Sequence, residues 1–198
     1  MKIKSIKFKK VESTNDEAVR LIKKNVSQAT LITSERQSKG RGRMGKKWLS
    51  LKGNLFLSIY FEINQKKINL KQYTKLNAYL IRKVLSKNIL KKISIKWPND
   101  LWIDQQKVCG ILQEIIEHNE KKFMIVGVGI NTLSAPQMIS QKTTSLTNYS
   151  KKKLDNNKIL KDIKKTYEKF IYQIKRNDYL NLKEKIKWII LLVTLGIL

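Results

Sequence analysis

The stretch Gln37-Ser-Lys-Gly-Arg-Gly-Arg-Met-Gly-Lys-Lys-Trp48 has no apolar period and separates two apolar runs, Ala29–Thr33 and Asn54–Phe61. Both runs predict strands, and the second is nearly continuous in apolar residues, which is typical of the centre of a sheet. The sequence therefore predicts that the segment from Glu35 to Lys52 is a loop between two strands of one domain.

The chemistry of this loop is compatible with binding an anion. Glycines at 40, 42 and 45 allow close approach of backbone N–H groups, and Arg41 and Arg43 add delocalised positive charge. The spacing is not that of a P-loop, and no helix pattern follows, so it is not a dinucleotide-binding fingerprint. A solvated basic loop, or an arginine–glycine segment that binds nucleic acid, has the same composition. The loop by itself leaves these alternatives open.

The rest of the chain predicts more strands than helices. Glu12–Glu17 opens the first helix, with Ser13 or Thr14 as N-cap and an apolar face that reaches Val26. Short polar turns join the later strands into an antiparallel meander. We predict an α/β (α+β) domain with a mixed, largely antiparallel sheet and packed helices. The further predicted strands contain Ile3, Ile6 and Phe8, Ile93–Trp97, Leu101–Ile103, Val108–Ile116 and Phe123–Ile130, and the later helices contain Leu70–Val84 and Ile159–Ile174.

The charge balance is extreme, with 42 basic and 15 acidic residues and a net charge of +27. Such an excess suggests nucleic acid as a partner. Only six of the basic residues are arginine, however, and the lysines are scattered along the whole chain. Scattered charge gives weak, salt-sensitive attraction. We therefore favour a drift in composition and expect no specific binding to DNA.

Single residues narrow the chemistry further. Cys109 is the one cysteine, which excludes an internal disulfide, fits a reducing cytoplasmic compartment and predicts a buried structural thiol. His118 is the one histidine and lies in a polar turn, which argues against a Ser-His-Asp triad or a histidine-rich metal site.

The apolar segment Trp188–Leu198 is shorter than the roughly 20 residues of a membrane-spanning helix, so we expect no membrane anchor.

A second motif is Lys96-Trp-Pro-Asn-Asp100, followed by Lys107 at the head of an apolar run. Pro98 ends its strand, because proline cannot donate to a sheet ladder, and this frees Asn99 and Asp100 to point into a site at the strand edge. The ammonium of Lys107 is expected at the end of a pocket. A surface hairpin with a turn-forming Asn-Asp pair is the alternative.

A third motif is Val126-Gly-Val-Gly-Ile-Asn-Thr132. Glycines that alternate within an apolar strand leave one face without side chains, which gives room for a flat ligand or for another backbone. Asn131 then offers amide donors and an acceptor where the strand ends.

In this order and spacing the motifs resemble those of the catalytic domain of biotin–protein ligases. The resemblance runs from about residue 8 to about residue 147. The motifs that carry it are Glu12-Ser-Thr-Asn15, Gly40-Arg-Gly-Arg-x-Gly45 with Trp48, Lys96-Trp-Pro-Asn-Asp-Leu101, Lys107-x-x-Gly-Ile-Leu112 and Gly127-Val-Gly-Ile-Asn131.

The resemblance implies a fold related to class II aminoacyl-tRNA synthetases and a two-step reaction. ATP and biotin form biotinyl-5′-AMP and pyrophosphate, and a lysine of the biotin carboxyl carrier domain of acetyl-CoA carboxylase then attacks the mixed anhydride. Mg²⁺ is expected with ATP, with unassigned ligands. The protein is expected to be a monomer or a weak homodimer.

The resemblance also implies a set of site residues. The ureido ring of biotin needs neutral donors and acceptors, and the meeting of its carboxylate with the α-phosphate needs cations. Lys107 and Arg43 are the implied catalytic residues. The implied biotin-binding residues are Ser13, Thr14, Asn15, Gln37, Arg41, Gly42, Arg43 and Lys107, and the implied ATP- or adenylate-binding residues are Gly40, Arg41, Arg43, Lys46, Trp48, Asn99 and Asn131.

The chain departs from the family pattern in two places. Lys46 stands where the family usually has arginine, so we expect weaker phosphate contacts there. We expect residues 1–177 to form the catalytic domain and residues 178–198 to be an atypical apolar C-terminal remnant, without the length and strand pattern of the SH3-like barrel that ends many bacterial members. Because the first motif begins at Glu12, we expect no DNA-binding domain before it and no repressor function.

Two rival functions stay open from the sequence. A lipoate or octanoyl ligase or transferase shares the fold, although its loop is of an arginine–glycine-glycine-glycine type. A basic nucleic-acid-binding protein would use the arginine–glycine loop and Trp48, and its binding would survive mutation of Lys107.

Overall fold

The structure is a computed structural model that describes residues 2–63, 68–137, 141–175 and Leu191. Within these residues the chain forms one seven-stranded sheet and three α-helices. The strands are β1 (Lys4–Val11), β2 (Thr30–Gln37), β3 (Leu55–Ile63), β4 (Ser94–Lys96), β5 (Asp100–Ile103), β6 (Gln106–His118) and β7 (Lys121–Ile130), and the helices are α1 (Thr14–Lys23), α2 (Leu70–Leu85) and α3 (Asn156–Lys175).

The strands lie in the order β1-β2-β3-β7-β6-β5-β4. β1 and β2 are parallel, with α1 as the crossover that parallel neighbours require, and each other neighbouring pair is antiparallel. The prediction of a mixed, largely antiparallel sheet is confirmed. So is the meander, because β5, β6 and β7 follow one another through short turns.

Helices α2 and α3 cover one face of the sheet with the larger apolar core. An aromatic cluster lies at its centre, where the ring of Phe61 is 6.1–6.4 Å from those of Tyr73, Tyr167 and Phe170. On the opposite face α1 packs Ala18 and Ile22 onto a smaller cluster. This shorter helix leaves the glycine-containing part of that face available for a site.

Several predicted boundaries shift. The loop expected from Glu35 begins after Gln37, because Lys10 and Val11 of β1 pair with Arg36 and Gln37 and prolong β2. Helix α1 ends at Lys23, because Asn25 adopts a φ of 61°, so the expectation that Val26 lies on the helix is wrong. The prediction of Ser13 as N-cap is confirmed, since its side chain accepts from the backbone N–H of Asn15.

The predicted remnant at 178–198 falls almost wholly outside the described residues, as does the predicted boundary at residue 177. Within the described part of the chain, no helix has the length and apolar character needed to cross a bilayer.

Candidate functional site

Glycines of β6 and β7 form a flat surface on one face of the sheet, on which the site is built. Gly110 pairs with Gly129 across the two strands, and the indole of Trp48 packs directly on both. A Cβ on Gly110 would lie 2.7 Å from Cζ3 of Trp48, and one on Gly129 would lie 2.6 Å from its Nε1. The glycines leave room on this strand face, as predicted, but the group that fills it is the side chain of Trp48 and neither a flat ligand nor another backbone.

A backbone hydrogen bond joins the two ends of the arginine–glycine loop. The backbone N–H of Trp48 donates to the carbonyl of Gly40 at 2.8 Å. A Cβ on Gly40 would lie 2.7 Å from the carbonyl oxygen of Trp48, so only glycine permits this approach. Gly45, with a φ of 72°, allows the turn at the tip. The loop therefore bends back over the sheet, with Arg41 beside α1 and β6 and Arg43 beside Asn99.

A cavity of about 680 Å³ lies between this loop, the N-terminus of α1 and the glycine face of the sheet. Every site residue predicted from the sequence lines it except Gly40, which is buried at the base of the loop. The residues brought together are Ser13, Thr14, Asn15, Gln37, Arg41, Gly42, Arg43, Lys46, Trp48, Asn99, Lys107 and Asn131.

The floor of the cavity is neutral and hydrogen-bonded. The backbone N–H and the hydroxyl group of Thr14 lie 2.9 and 3.1 Å from Oε1 of Gln37. Beneath them the hydroxyl group of Ser58, which is fully buried in β3, contacts Thr14 Oγ1 at 2.7 Å and Asn15 Oδ1 at 2.5 Å. Sequence reasoning missed Ser58. A lone hydroxyl within an otherwise apolar strand was the signal that could have found it.

Arg41 is held by two acidic residues that the sequence analysis did not assign to the site. Its Nη1 donates to both carboxylate oxygens of Asp16, at 2.6 and 2.7 Å, and its Nη2 lies 3.4 Å from Oε1 of Glu114. The hydrogen bonds that Arg41 donates to Asp16 raise the pKa of the Arg41 guanidinium above its ordinary value, so this group stays charged. Arg43 instead contacts a neutral group, Asn99 Oδ1, at 3.3 Å.

Lys107 lies at the head of β6, and its ammonium faces the cavity. Its Nζ is 2.9 Å from Oδ2 of Asp100 and 5.6 Å from the ring centroid of Trp48. Only 17% of its side chain is exposed. Backbone hydrogen bonds of 2.9 Å to Lys142 and Thr144 hold the head of the strand in place. The prediction that this ammonium lies at the end of a pocket is confirmed.

Three buried polar atoms in the cavity wall have no hydrogen-bond partner among the described residues. They are Nε1 of Trp48, Oδ1 of Asp100 and Oδ1 of Asn131, whose amide nitrogen is occupied by the carbonyl of Thr144 at 3.2 Å. Buried polar groups are normally paired, so such a cluster in one cavity indicates a polar ligand. The wall thus offers one donor and two oxygen acceptors beside Lys107.

Sequence comparison assigns this arrangement to a family. Residues 7–131 match the profile of the Biotin/lipoate A/B protein ligase family, which is more than half of the 198 residues. The chain belongs to that family. The matched segment contains the loop, the N-terminus of α1, Lys107 and both glycines of β7, and so includes most of the cavity wall.

Within this ligase family the chain is homologous to biotin protein ligases. It is 30% identical over 165 residues to the Bifunctional ligase/repressor BirA of Bacillus spizizenii, covering 80% of this chain and 51% of BirA. It is 26% identical over 151 residues to the Biotin--[acetyl-CoA-carboxylase] ligase of Mycobacterium tuberculosis, covering 72% and 54%. The chain therefore spans about half the length of these relatives.

The fold agrees with the family assignment. The biotin protein ligase of Aquifex aeolicus, solved in complex with biotin and ATP, superposes with a TM-score of 0.74 and 34% identity over 92% of this chain and 76% of that one. The biotin protein ligase of Leishmania major, solved with biotinyl-5-AMP, shares the fold with a TM-score of 0.72 at 21% identity.

Proposed function

We propose that this chain contains the catalytic domain of an ATP-dependent biotin–protein ligase. It would join biotin to ATP as biotinyl-5′-AMP, with release of pyrophosphate, and then transfer biotin to a lysine of a biotin carboxyl carrier domain of acetyl-CoA carboxylase. The observation that carries this proposal is one cavity in which a neutral, hydrogen-bonding floor faces the cations Arg41, Arg43 and Lys107.

The floor suits a ureido ring. Such a ring carries no charge and presents N–H donors beside a carbonyl acceptor, so it needs hydroxyl and amide partners. Ser13, Thr14, Asn15 and Gln37 supply these groups and are held by the bonds described above. Buried polar groups that lose their ligand partner cost free energy, and this penalty would favour biotin over the apolar ring of lipoate.

The cations suit the first chemical step. A carboxylate oxygen of biotin attacks the α-phosphorus of ATP, and the bond between that phosphorus and the pyrophosphate oxygen breaks. Two anions must approach and negative charge accumulates, so preorganised cations lower the barrier. Lys107 is held by Asp100, and the side chain of Arg43 has a neutral partner, Asn99, and no carboxylate partner among the described residues. We place these two groups at the reacting atoms.

In the second step the amine of the acceptor lysine attacks the carbonyl carbon of the anhydride. The bond between this carbon and the phosphate oxygen breaks, AMP leaves, and the surplus amine proton passes to solvent. Water competes with the amine for the same carbon. The loop lies over the glycine face with Trp48 beneath it, and its closure on the ligand would limit that competition.

The cavity wall has donors that fit Mg²⁺ bound with ATP. Mg²⁺ prefers oxygen and is commonly held by one or two carboxylates together with substrate phosphates. Asp100 supplies a carboxylate oxygen and Asn131 a neutral amide oxygen, and neither Oδ1 atom has a partner among the described residues. We propose that they hold the ion, which would supply neutralisation of the phosphate charge.

We place the enzyme in the cytoplasm, which suits the free, buried thiol of Cys109. We assign the described domain no specific role on DNA, because its lysines are scattered along the sequence and give only weak attraction to nucleic acid. A carrier domain that presents a lysine is the partner this chemistry requires.

The test is biotin-dependent exchange of labelled pyrophosphate into ATP. We expect exchange by the wild-type chain and a loss of about 10²- to 10³-fold for Lys107→Ala, the usual effect of removing one preorganised charge. Lys83→Ala, which removes an exposed lysine of α2 outside the cavity, is the matched control. Exchange that depends on lipoate instead of biotin would show the lipoate rival to be correct. Absence of exchange by folded wild-type protein would overturn the proposal.

A further inference from the structure

A second cavity, of about 370 Å³, adjoins the first between the beginning of α2 and the turn at residues 97–99. We call it the side groove. The two cavities share Arg43, Asn99 and Ile111 in their walls. Asn99 is fixed at this junction, because its backbone carbonyl accepts from the N–H of Ile111 at 2.9 Å and its Nδ2 donates to the carbonyl of Ile111 at 3.1 Å. A partner that reaches into the first cavity beside Arg43 would therefore also contact the side groove.

The side groove is positively charged. Lys71 and Lys75 line it from successive turns of α2, and Arg43 lines the end that it shares with the first cavity. No carboxylate among the described residues lines the groove or pairs with either lysine. The sequence explains this, because it has no aspartate or glutamate between Glu62 and Asp100. Acidic residues normally favour the first turn of a helix, and α2 has none there, so its positive end is uncompensated.

The groove also has an aromatic wall. Trp97 is 36% exposed, and the Nζ of Lys75 lies 5.7 Å from the centroid of its ring. Pro98 extends this apolar wall. Exposed tryptophan beside cationic groups is typical of surfaces that bind another protein. An inorganic anion such as pyrophosphate would make no use of Trp97, so the groove suits a protein surface better than a small anion.

The second step of the proposed reaction has an electrostatic difficulty that the groove would relieve. The attacking group is a lysine of the carrier domain, and it must approach a cavity that already contains Arg43 and Lys107. Charges of the same sign repel, which slows the encounter. Carboxylates of the carrier next to its acceptor lysine would offset this repulsion and steer the approach, provided that they meet cations beside the cavity.

We propose that the side groove docks an acidic face of the carrier domain, adjacent to its acceptor lysine. Carboxylates of the carrier would pair with Lys71 and Lys75, and an apolar side chain would pack on Trp97. This inference rests on the proposed function and gives α2 a role in choosing the acceptor. Charges at the rim of an interface act mainly on the rate of association, so the groove should affect kcat/KM for the carrier and not the formation of the adenylate.

The variant Lys71→Glu/Lys75→Glu (K71E/K75E) tests the inference by reversing both charges. Neither lysine is buried, and glutamate is a good helix former that suits a first turn, so the variant should fold. The matched control is Lys83→Glu/Lys87→Glu, which makes the same change in net charge at two exposed lysines outside both cavities.

The experiment measures biotin transfer to the carrier domain of an acetyl-CoA carboxylase by mass spectrometry, with biotin and ATP saturating. We expect kcat/KM for the carrier to fall at least about tenfold in K71E/K75E and less than about threefold in the control. Pyrophosphate exchange, in which no carrier takes part, should fall by a much smaller factor than transfer. A carrier whose aspartates and glutamates nearest the acceptor lysine are replaced by lysine should restore K71E/K75E to within about threefold of the wild-type pair, because the reversed charges attract again.

The outcomes separate the inference from the proposed function. If the folded wild-type chain neither exchanges pyrophosphate nor biotinylates the carrier, both are overturned. If wild type does both and K71E/K75E matches the control, or the charge-reversed carrier restores nothing, the inference alone is overturned. An equal loss of exchange and transfer in K71E/K75E would instead assign the groove to ATP or pyrophosphate and would also overturn it. If circular dichroism shows that K71E/K75E is unfolded, Lys71→Gln/Lys75→Gln removes the charges without reversal. It should lower kcat/KM for the carrier about threefold, and an unchanged value would contradict the inference.

Discussion

Gly127 offers a direct test of how tightly the floor is packed. It lies in β7 beneath the side chain of Asn15, and an added Cβ would lie 2.9 Å from Cγ and 3.0 Å from Nδ2 of that amide, with Oδ1 closer still. Asn15 cannot swing away at low cost, because Ser58 and Glu114 hold its two ends. Gly127→Ala must therefore displace a buried, fully paired group.

The size of the effect follows from these contacts. Overpacking of a buried site costs about 1–3 kcal/mol, and each buried hydrogen bond of Asn15 contributes about 0.5–1.5 kcal/mol, so the free energy of unfolding should fall by about 2–6 kcal/mol. For a chain of this length each kcal/mol corresponds to about 2–4 °C, so Tm should fall by at least about 4 °C. Biotin affinity should fall as well, since Asn15 lines the floor of the cavity.

The assay is urea unfolding followed by circular dichroism, with calorimetric titration of biotin on the folded variant. Gly42→Ala is the control for stability. Its Cβ would lie no less than 3.4 Å from the atoms of Lys46, and its φ of −109° suits any residue. The free energy of unfolding should therefore change by less than about 0.5 kcal/mol. If Gly127→Ala matches wild type in both stability and biotin affinity, the packing and the floor proposed here are wrong.

Buried groups elsewhere give further predictions. Burial raises the pKa of the Cys109 thiol, so iodoacetamide at pH 8 should modify it only in denaturant, as read by mass spectrometry. Burial also raises the pKa of Tyr73, whose hydroxyl has no partner among the described residues, so Tyr73→Phe should leave stability unchanged or increase it. Tyr167→Phe loses a 2.9 Å hydrogen bond to Asn77, so the free energy of unfolding measured in urea should fall by about 1 kcal/mol. Both tyrosines stay protonated in the folded state, while the unfolded chain loses those protons above about pH 10. The free energy of unfolding should therefore fall as pH rises above about 10, and it should fall less steeply in Tyr73→Phe.

Much of the fold followed from local pattern. The apolar run at Asn54–Phe61 predicted a central strand, and β3 pairs on both sides with β2 and β7. The spacing of Leu70–Val84 predicted a helix that α2 matches closely. These predictions succeed because side-chain periodicity reports which face of an element is buried, and that property is local to the element.

The sequence by itself also determined which chemical groups the site contains. Glycines that seat Trp48, hydroxyls at the start of α1 and the cations Arg41 and Lys107 were all recognisable from composition and order. What it did not determine was their partners. Asp16 and Glu114 gave no signal of a role in the site, because a carboxylate on a helix or strand is usually a solvated surface group. Ser58 gave one that was missed, a lone hydroxyl within an otherwise apolar strand.

The tertiary structure decided those partners. Arg41 and Asp16 are 25 residues apart, Ser58 and Asn15 are 43 apart, and Glu114 and Asn15 are 99 apart. Strand order and register bring each pair within hydrogen-bond distance, and both depend on the packing of the whole sheet. The carboxylate of Glu114 reaches Asn15 on the floor only in the folded chain.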